Sequence, residues 1–218
     1  MAADDGRDQS LSEHPVDINA PLYTSQYTDL TLLIGEEATK FCVHRNILTI
    51  HSEFFQVACG NPNFKESAEQ LVRLPEVDVE TMTNILRWCY QAPLAIPEDM
   101  VSDVGYETVR NLLDAADYLN IQGVFRLVTR AVDDYLYRCS KWRSDREDAA
   151  ADEQKKVDLL CRIYDYGGKM EDDCLRKYLN SLKESHNLGL FMNMVKELED
   201  CHPKLFRDIM VALYSTVD

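Results

Sequence analysis

Short apolar runs in the first third of the chain predict three β-strands. Residues 30–34 form a run rich in strand formers, and residues 39–43 alternate between apolar and polar side chains. Residues 35–37, Gly-Glu-Glu, separate the two runs as a turn, so the runs are predicted to pair as a hairpin. A third strand is predicted at residues 71–74, where a proline follows and ends it.

Helices are predicted where apolar residues recur three and four positions apart, because this spacing places them on one helical face. The predicted helices cover residues 45–50, 52–59, 79–89, 104–119 and 123–139. Ser52 and Asp78 stand at the N-cap positions of two of these helices, where a side-chain oxygen accepts a bond from a free backbone N–H. Residues 60–68 contain clustered Gly, Pro and Asn and are predicted to form a loop.

The last third of the chain is predicted to be all helical, beyond an acidic segment. Residues 144–153 are rich in acids, with Arg146 as their single basic residue, and mark the best candidate domain boundary. Four apolar stripes follow at residues 157–164, 175–182, 191–198 and 206–213, and Asp172 or Asp173 caps the second. We therefore predict a disordered acidic tail at 1–20, a folded domain at 21–140, an acidic linker at 141–153 and a C-terminal helical region at 154–218.

The charge of the chain disfavours two classes of partner. Its 218 residues carry 23 Lys and Arg against 38 Asp and Glu, a formal net charge of −15. Such a chain repels phosphate backbones and anionic bilayers, so we expect no nucleic-acid partner and no membrane partner. Residues 1–20 lack the apolar centre of a secretory signal, and the cysteines are scattered without a CxxC pair. An intracellular protein is predicted, in the cytoplasm or the nucleus.

Sequence signatures of catalysis and metal binding are missing. The chain has no Gly-x-Ser-x-Gly elbow, no phosphate-binding glycine loop, no GxGxxG and no His-Glu-x-x-His. Its histidines show no ligand spacing, and the adjacent Cys201 and His202 have no further partner in the sequence. We therefore predict no enzyme, no cofactor and no metal site. An enzyme whose carboxylates converge from distant positions stays open as an alternative.

An ordered series of short segments resembles the BTB/POZ family. The segments are residues 27–30 (YTDL), 41–48 (FCVHRNIL), 52–55 (SEFF), 64–67 (FKES), 71–75 (LVRLP) and 114–119 (DAADYL). The resemblance implies an α+β protein with the BTB/POZ fold, a short three-stranded sheet with surrounding helices, followed by an all-α helical extension. The extension is similar to the helical tail of small stand-alone BTB proteins of filamentous fungi, at Leu175-Arg176 and in residues 203–213.

The resemblance also implies structural roles for particular residues. Asp29 and Arg45 match a charged pair that lies in a partly buried pocket in BTB domains, so Asp29→Ala is expected to cost about 3–5 kcal/mol. One of Phe54 and Phe55 is expected to pack inward and the other to lean toward neighbouring strands. The predicted core of the domain consists of Leu30, Leu32, His44, Leu48, Phe54, Phe55 and Leu74.

Phe64, Lys65 and Glu66 form the sharpest candidate for a partner-binding site. A loop with an exposed aromatic two residues before an acid offers a partner one apolar contact and one charged acceptor. In BTB substrate adaptors, a hydrophobic-x-acidic triplet in this loop docks onto a cullin scaffold, and the triplet here is similar in type and position. The alternative is that Phe64 only packs its loop onto the domain and Glu66 is solvated.

Two functions therefore follow from the resemblance. The first is a protein–protein interaction module, an adaptor that links an unknown client to a cullin-type ubiquitin ligase. The alternative is a self-assembly scaffold or transcription-associated regulator that does not bind a ligase. BTB domains commonly form homodimers through a segment before the hairpin, but here that segment offers few apolar contacts, namely Pro21-Leu22-Tyr23 and Tyr27. A homodimer and a monomer both fit the sequence.

Overall fold

The chain divides into two compact units in the computed structural model. The structure describes residues 16–139, 149–168, 175–176, 178–180, 188–196 and 198–214. The first unit contains the described residues up to Ala95 together with residues 115–123. The second unit contains residues 96–114 and the described residues from Val124 onward.

A three-stranded sheet forms the centre of the first unit. Its strands are β1 (Leu30–Ile34), β2 (Thr39–Val43) and β3 (Leu71–Leu74), in the order β2-β1-β3. β1 pairs antiparallel with β2, with Leu30 opposite Val43, and parallel with β3. Gly35 opens the hairpin turn with a φ of +70°, a conformation that costs glycine little because it has no Cβ. The predicted hairpin and third strand are confirmed.

Short helices surround this sheet. They are α1 (Arg45–His51), α2 (Glu53–Gly60), α3 (Lys65–Glu69) and α4 (Val79–Cys89). Both predicted caps are confirmed: the Phe55 N–H donates to Ser52 Oγ at 3.2 Å, and the Thr81 N–H donates to Asp78 Oδ1 at 2.8 Å. The predicted loop over residues 60–68 is wrong in its last part, since α3 begins there at Lys65 and the chain then turns sharply at Gln70, whose φ is +52°.

Residues 16–20 are anchored by one buried side chain, although the sequence predicts a disordered tail there. Ile18 is fully buried, and the Val16 N–H donates to the Lys40 carbonyl of β2 at 2.8 Å. Farther along, the Tyr23 hydroxyl donates to the Cys42 carbonyl at 3.0 Å. Burial of one isoleucine and hydrogen bonds to an edge strand stabilise a segment whose composition alone indicates disorder. Residues 1–15 of the predicted tail lie outside the described residues.

One long helix, α5 (Asp103–Tyr118), begins in the second unit and ends in the first. The other helices of the second unit are α6 (Gln122–Cys139), α7 (Ala149–Asp165), α8 (Leu188–Lys196), α9 (Leu198–Cys201) and α10 (Pro203–Tyr214). α6 itself starts two residues before this unit. Helix α7 starts inside the predicted linker, whose first part lies outside the described residues, as do the proposed caps Asp172 and Asp173.

Polar side chains bind α7 to the first part of α5. The Tyr106 hydroxyl donates to Asp158 at 2.8 Å, and Arg162 donates to Asp114 at 2.6 Å. The Tyr166 hydroxyl donates to the same oxygen of Asp114, also at 2.6 Å. Burial, followed by the hydrogen bond to Asp114, raises the pKa of Tyr166 to about 12, so this phenol stays protonated as a donor at neutral pH.

No helix in the described ranges is both long and apolar enough to cross a bilayer.

Candidate protein-docking groove

An open groove with a volume of about 510 Å³ lies on the first unit. We call it the α2–α3 groove. It is lined by Glu53, Phe54, Val57, Ala58, Phe64, Glu66, Tyr118 and Asn120. Helix α2 contributes four of these residues, the start of α3 contributes two, and the end of α5 and the residue two positions after it contribute the others. Segments distant in sequence thus form one partly apolar depression.

The two adjacent phenylalanines of α2 point in different directions. Phe55 is fully buried, as expected for one of the pair. Phe54 is half-buried, lines the groove and stacks at a tilt on Tyr118, with ring centroids 5.5 Å apart. The expectation that the second ring leans toward strands is wrong. Neighbouring residues of a helix lie about 100° apart around the axis, so only one of the two can face the sheet.

Two residues of the predicted triplet line the groove, and the third does not. Phe64 is 41% exposed and stands at the N-cap of α3, and Glu66 is half-buried in the first turn. Both line the α2–α3 groove. The Lys65 side chain is 79% exposed and pairs with Glu69 at 3.6 Å, and it does not line the groove. The structure therefore places Phe64 and Glu66 together on a surface that a partner can reach.

Asp29 and Arg45 lie close together, but they are not buried. Arg45 Nε is 3.8 Å from Asp29 Oδ2, and both side chains are 46% exposed. A shorter contact joins the Arg45 backbone N–H to Asp29 Oδ1 at 2.7 Å. Asp29 thus supplies the first turn of α1 with an acceptor that His44, the N-cap residue, does not provide. The expected cost of a buried ion pair does not apply here, because water screens the two charges.

Asp29→Ala is therefore expected to lower the free energy of unfolding by about 1–2 kcal/mol, the usual loss for a helix cap. Asp29→Asn keeps an oxygen that accepts from the Arg45 N–H, so it should lose less than half of that amount. Urea unfolding of the two variants and the wild type measures both values. A loss above about 3 kcal/mol for Asp29→Ala would instead indicate the buried pair suggested by the sequence.

His44 connects three segments of the first unit. Its Nδ1 lies 2.9 Å from the Tyr90 hydroxyl, and its Nε2 lies 2.9 Å from the Gln26 carbonyl. Its backbone N–H donates to the same Tyr90 hydroxyl at 2.8 Å. Burial raises the pKa of Tyr90 to about 12, although the bond from the His44 N–H lowers it.

The predicted core of the domain is confirmed in part. Five of its residues are buried, namely Leu30, Leu32, Leu48, Phe55 and Leu74. His44 and Phe54 are only half-buried, which corrects their place in that core.

Five residues of the groove were missed as site residues: Glu53, Val57, Ala58, Tyr118 and Asn120. Val57 and Tyr118 are 56% and 52% exposed, unusual for large apolar side chains next to a buried stripe. A large apolar residue that lies outside the buried stripe of its helix is a signal in the sequence, and it could have indicated Val57 and Tyr118. Their meeting with Phe64 depends on tertiary contacts, which the spacing within one helix does not contain.

The described residues contain no group of three or more His, Cys, Asp or Glu side chains that could hold a metal ion. The groove combines exposed aromatic and aliphatic side chains with two carboxylates. A concave surface that combines apolar side chains with a few polar groups is a candidate binding site.

Comparison with known proteins identifies the family. The family model "BTB/POZ domain" matches residues 18–136, more than half of the chain. The chain belongs to the BTB/POZ domain family, a family of non-enzymatic protein–protein interaction modules.

Relatives that carry such domains occur in viruses and a plant. The Kelch repeat and BTB domain-containing protein 1 of cowpox virus is 29% identical over 104 residues, 48% of this chain and 16% of that protein. The camelpox virus protein of the same name is 22% identical over 216 residues, 91% of this chain and 36% of that protein. A BTB/POZ domain-containing protein of Arabidopsis thaliana is 27% identical over 95 residues, 44% of this chain and 42% of that protein. The chain thus spans less than half of each relative.

Proposed function

We propose that this chain is an adaptor that links a client protein to a cullin-type ubiquitin ligase through the α2–α3 groove. The observation that carries the proposal is that Phe64 and Glu66 line one accessible groove while Lys65 turns away from it. This arrangement presents the apolar and the acidic member of the triplet on the same surface. The family membership supports a binding role, and the cullin as partner rests on the resemblance of the triplet.

The apolar lining of the groove supports a protein partner. Three large, exposed apolar side chains line one depression, namely Phe64, Val57 and Tyr118, and the half-buried Phe54 lines it with them. Aromatic side chains at the centre of an interface commonly contribute most of the binding energy, because they exclude water over a large area. Helix insertion into an apolar groove is a common recognition mode, and a cullin would present such a helix.

The Phe64→Ala, Glu66→Ala double variant tests this proposal. Loss of an interface aromatic typically costs about 2 kcal/mol or more, so the affinity for a cullin N-terminal domain should fall at least about 30-fold. Lys65→Ala is the matched control, because its side chain lies between the two but outside the groove, and it should change affinity less than about twofold. The measurement is calorimetry against a panel of purified cullin N-terminal domains.

Circular dichroism and thermal unfolding must show that the double variant is folded, which the exposure of Phe64 favours. If the folded double variant binds a cullin as tightly as the wild type, the groove is not the ligase site. If no cullin of the panel binds the wild-type chain, the adaptor proposal itself is wrong.

The client-binding part of the adaptor is proposed to lie on the helices within residues 154–218. Helix α10 exposes Val211 and Tyr214 one turn apart. Exposed apolar side chains on one helical face are a common feature of binding surfaces. Affinity purification followed by mass spectrometry would identify a client and a ligase partner in the same sample.

A self-assembly scaffold is the second candidate, and one observation favours it. The segment before β1 exposes Leu22 and Tyr27, which are 64% and 89% accessible. Two copies could cover these side chains against each other. Light scattering over a range of concentrations separates the candidates, since a constant mass of 25.1 kDa contradicts self-assembly.

A further inference from the structure

The α2–α3 groove carries a second acid besides the one in the triplet. Glu53 and Glu66 both line it, and none of its eight lining residues is a lysine or an arginine. An apolar depression with two carboxylates and no cation presents a negative potential to any partner that enters. Complementary charge on the partner is the arrangement that favours binding and register at such surfaces.

Glu53 is held in position by a chain of side-chain amides. Gln122 Nε2 donates to Asn120 Oδ1 at 3.0 Å, and Asn120 Nδ2 donates to Glu53 Oε2 at 2.6 Å. Asn120 has a left-handed backbone with a φ of +47°, and its N–H donates to the Asp117 carbonyl at the end of α5. The backbone contact places residue 120 next to the groove, and the two side-chain bonds orient its amide toward Glu53. Holding the carboxylate before binding reduces the entropy that a partner must otherwise offset.

The bond to Asn120 engages one oxygen of the Glu53 carboxylate and leaves acceptor capacity on the group, since a carboxylate accepts about four hydrogen bonds. Glu53 is exposed on the same depression as the apolar rings of Phe54, Phe64 and Tyr118. A partner that places an apolar side chain among these rings brings its neighbouring side chains near the positioned Glu53 carboxylate and near Glu66.

We propose that Glu53, positioned by Asn120, is a specificity-determining residue that selects a partner helix carrying a lysine or arginine beside its apolar contact. The inference rests on the proposed function of the same groove and deepens it, because it states the chemistry of the occupant. The apolar rings provide affinity for many amphipathic helices. The fixed carboxylate discriminates between helices that bring a cation and helices that bring a neutral or acidic side chain.

A displayed library of helices tests this selection. Four surface positions of one helix, at spacing i, i+3, i+4 and i+7, are randomised in a small helical-bundle scaffold. Helices are selected on the wild-type chain and counter-selected on the Phe64→Ala, Glu66→Ala variant, so that only groove-dependent binders remain. We expect lysine or arginine at one of the four positions in most of these binders, next to an apolar residue.

Affinities of one selected helix and of its Lys→Gln version then measure the contribution of Glu53. On the wild type, Lys→Gln should weaken binding about fivefold or more at low salt, and less at high salt. On Glu53→Gln the two helices should bind equally. Glu69→Gln is the matched control, because it removes the same charge from α3 at a side chain that does not line the groove. It should retain the full discrimination.

Asn120→Gly tests the positioning role, since glycine accepts the left-handed backbone while the amide is lost. We expect it to reduce the discrimination between the two helices, measured as the ratio of their affinities for the same variant. The inference is overturned if groove-dependent helices show no basic enrichment, if no groove-dependent helix emerges, or if Glu53→Gln and Glu69→Gln act alike. Cullin binding is a separate readout. If the selected helices are rich in lysine or arginine but no cullin binds, only the ligase proposal is wrong. If a cullin binds but Glu53→Gln does not change the discrimination between the two helices, only this inference is wrong.

Discussion

Phe55→Ala is expected to lower the free energy of unfolding by about 3–5 kcal/mol. Phe55 is fully buried in α2, one turn after the Ser52 cap. Truncation removes the transfer energy of an aromatic ring and leaves a cavity that the surrounding sheet and helices fill only in part. Urea unfolding measures this loss as a lower midpoint concentration, provided that the slope of the unfolding free energy against urea concentration is unchanged.

Phe54→Ala is the matched control, because it removes the same ring one residue away. Phe54 is half-buried and lies against Tyr118 in the α2–α3 groove. We expect a stability loss of about 1 kcal/mol, the central value for single substitutions, together with weaker binding of any groove ligand. Equal losses of stability for the two variants would show that the assignment of inward and outward rings is wrong.

Lys156→Met is expected to destabilise the second unit by about 3–5 kcal/mol. Lys156 Nζ lies 2.6 Å from Glu153 Oε1, and the two side chains are only 9% and 6% exposed. The Tyr178 hydroxyl donates to the other oxygen of Glu153. Burial, followed by the Glu153 carboxylate, raises the pKa of Tyr178 well above its usual value, so the phenol stays neutral. Methionine keeps the length of the side chain but leaves the carboxylate buried without its cation.

Lys155→Met supplies the control for this prediction. Lys155 pairs with Asp103 at 2.7 Å, but the Asp103 side chain is 98% exposed. A pair whose acid is this exposed contributes about 1 kcal/mol or less, because water screens the carboxylate, and methionine leaves no buried charge without its partner. Thermal and urea unfolding should therefore separate two adjacent lysines of one helix. A loss for Lys156→Met no larger than that for Lys155→Met would show that Glu153 is hydrated in the folded protein.

The strands and helix starts could be predicted because their signals are local. The alternation in residues 39–43 reflects the period of a strand, and Ser52 and Asp78 bond to N–H groups three residues away. Each of these features involves interactions within a few positions of the chain. The family resemblance added that the three strands form one sheet. The parallel pairing of residues 30–34 with residues 71–74, about 40 positions later, is known only from the structure.

The features that escaped prediction depend on distant contacts. Burial of Ile18 depends on a segment placed against the edge of β2, and composition alone argues for disorder there. The groove depends on Tyr118 meeting Phe54, two residues far apart in sequence whose rings lie 5.5 Å apart. The 46% exposure of the Asp29 side chain likewise depends on the neighbouring segments that leave it open to water. A charge pattern indicates that two side chains can meet, but it carries no information on how much water reaches them.

The polar contacts between α5 and α7 bear on where this gene can be cut or recombined. The region matched by the family ends at residue 136, ahead of Asp158, Arg162 and Tyr166. A fragment that stops there would leave Asp114 without the guanidinium and the phenol that donate to it. Expression of the recognisable domain by itself thus removes part of the support of its own long helix, and transplanting the domain onto a foreign tail requires a new set of donors for that carboxylate.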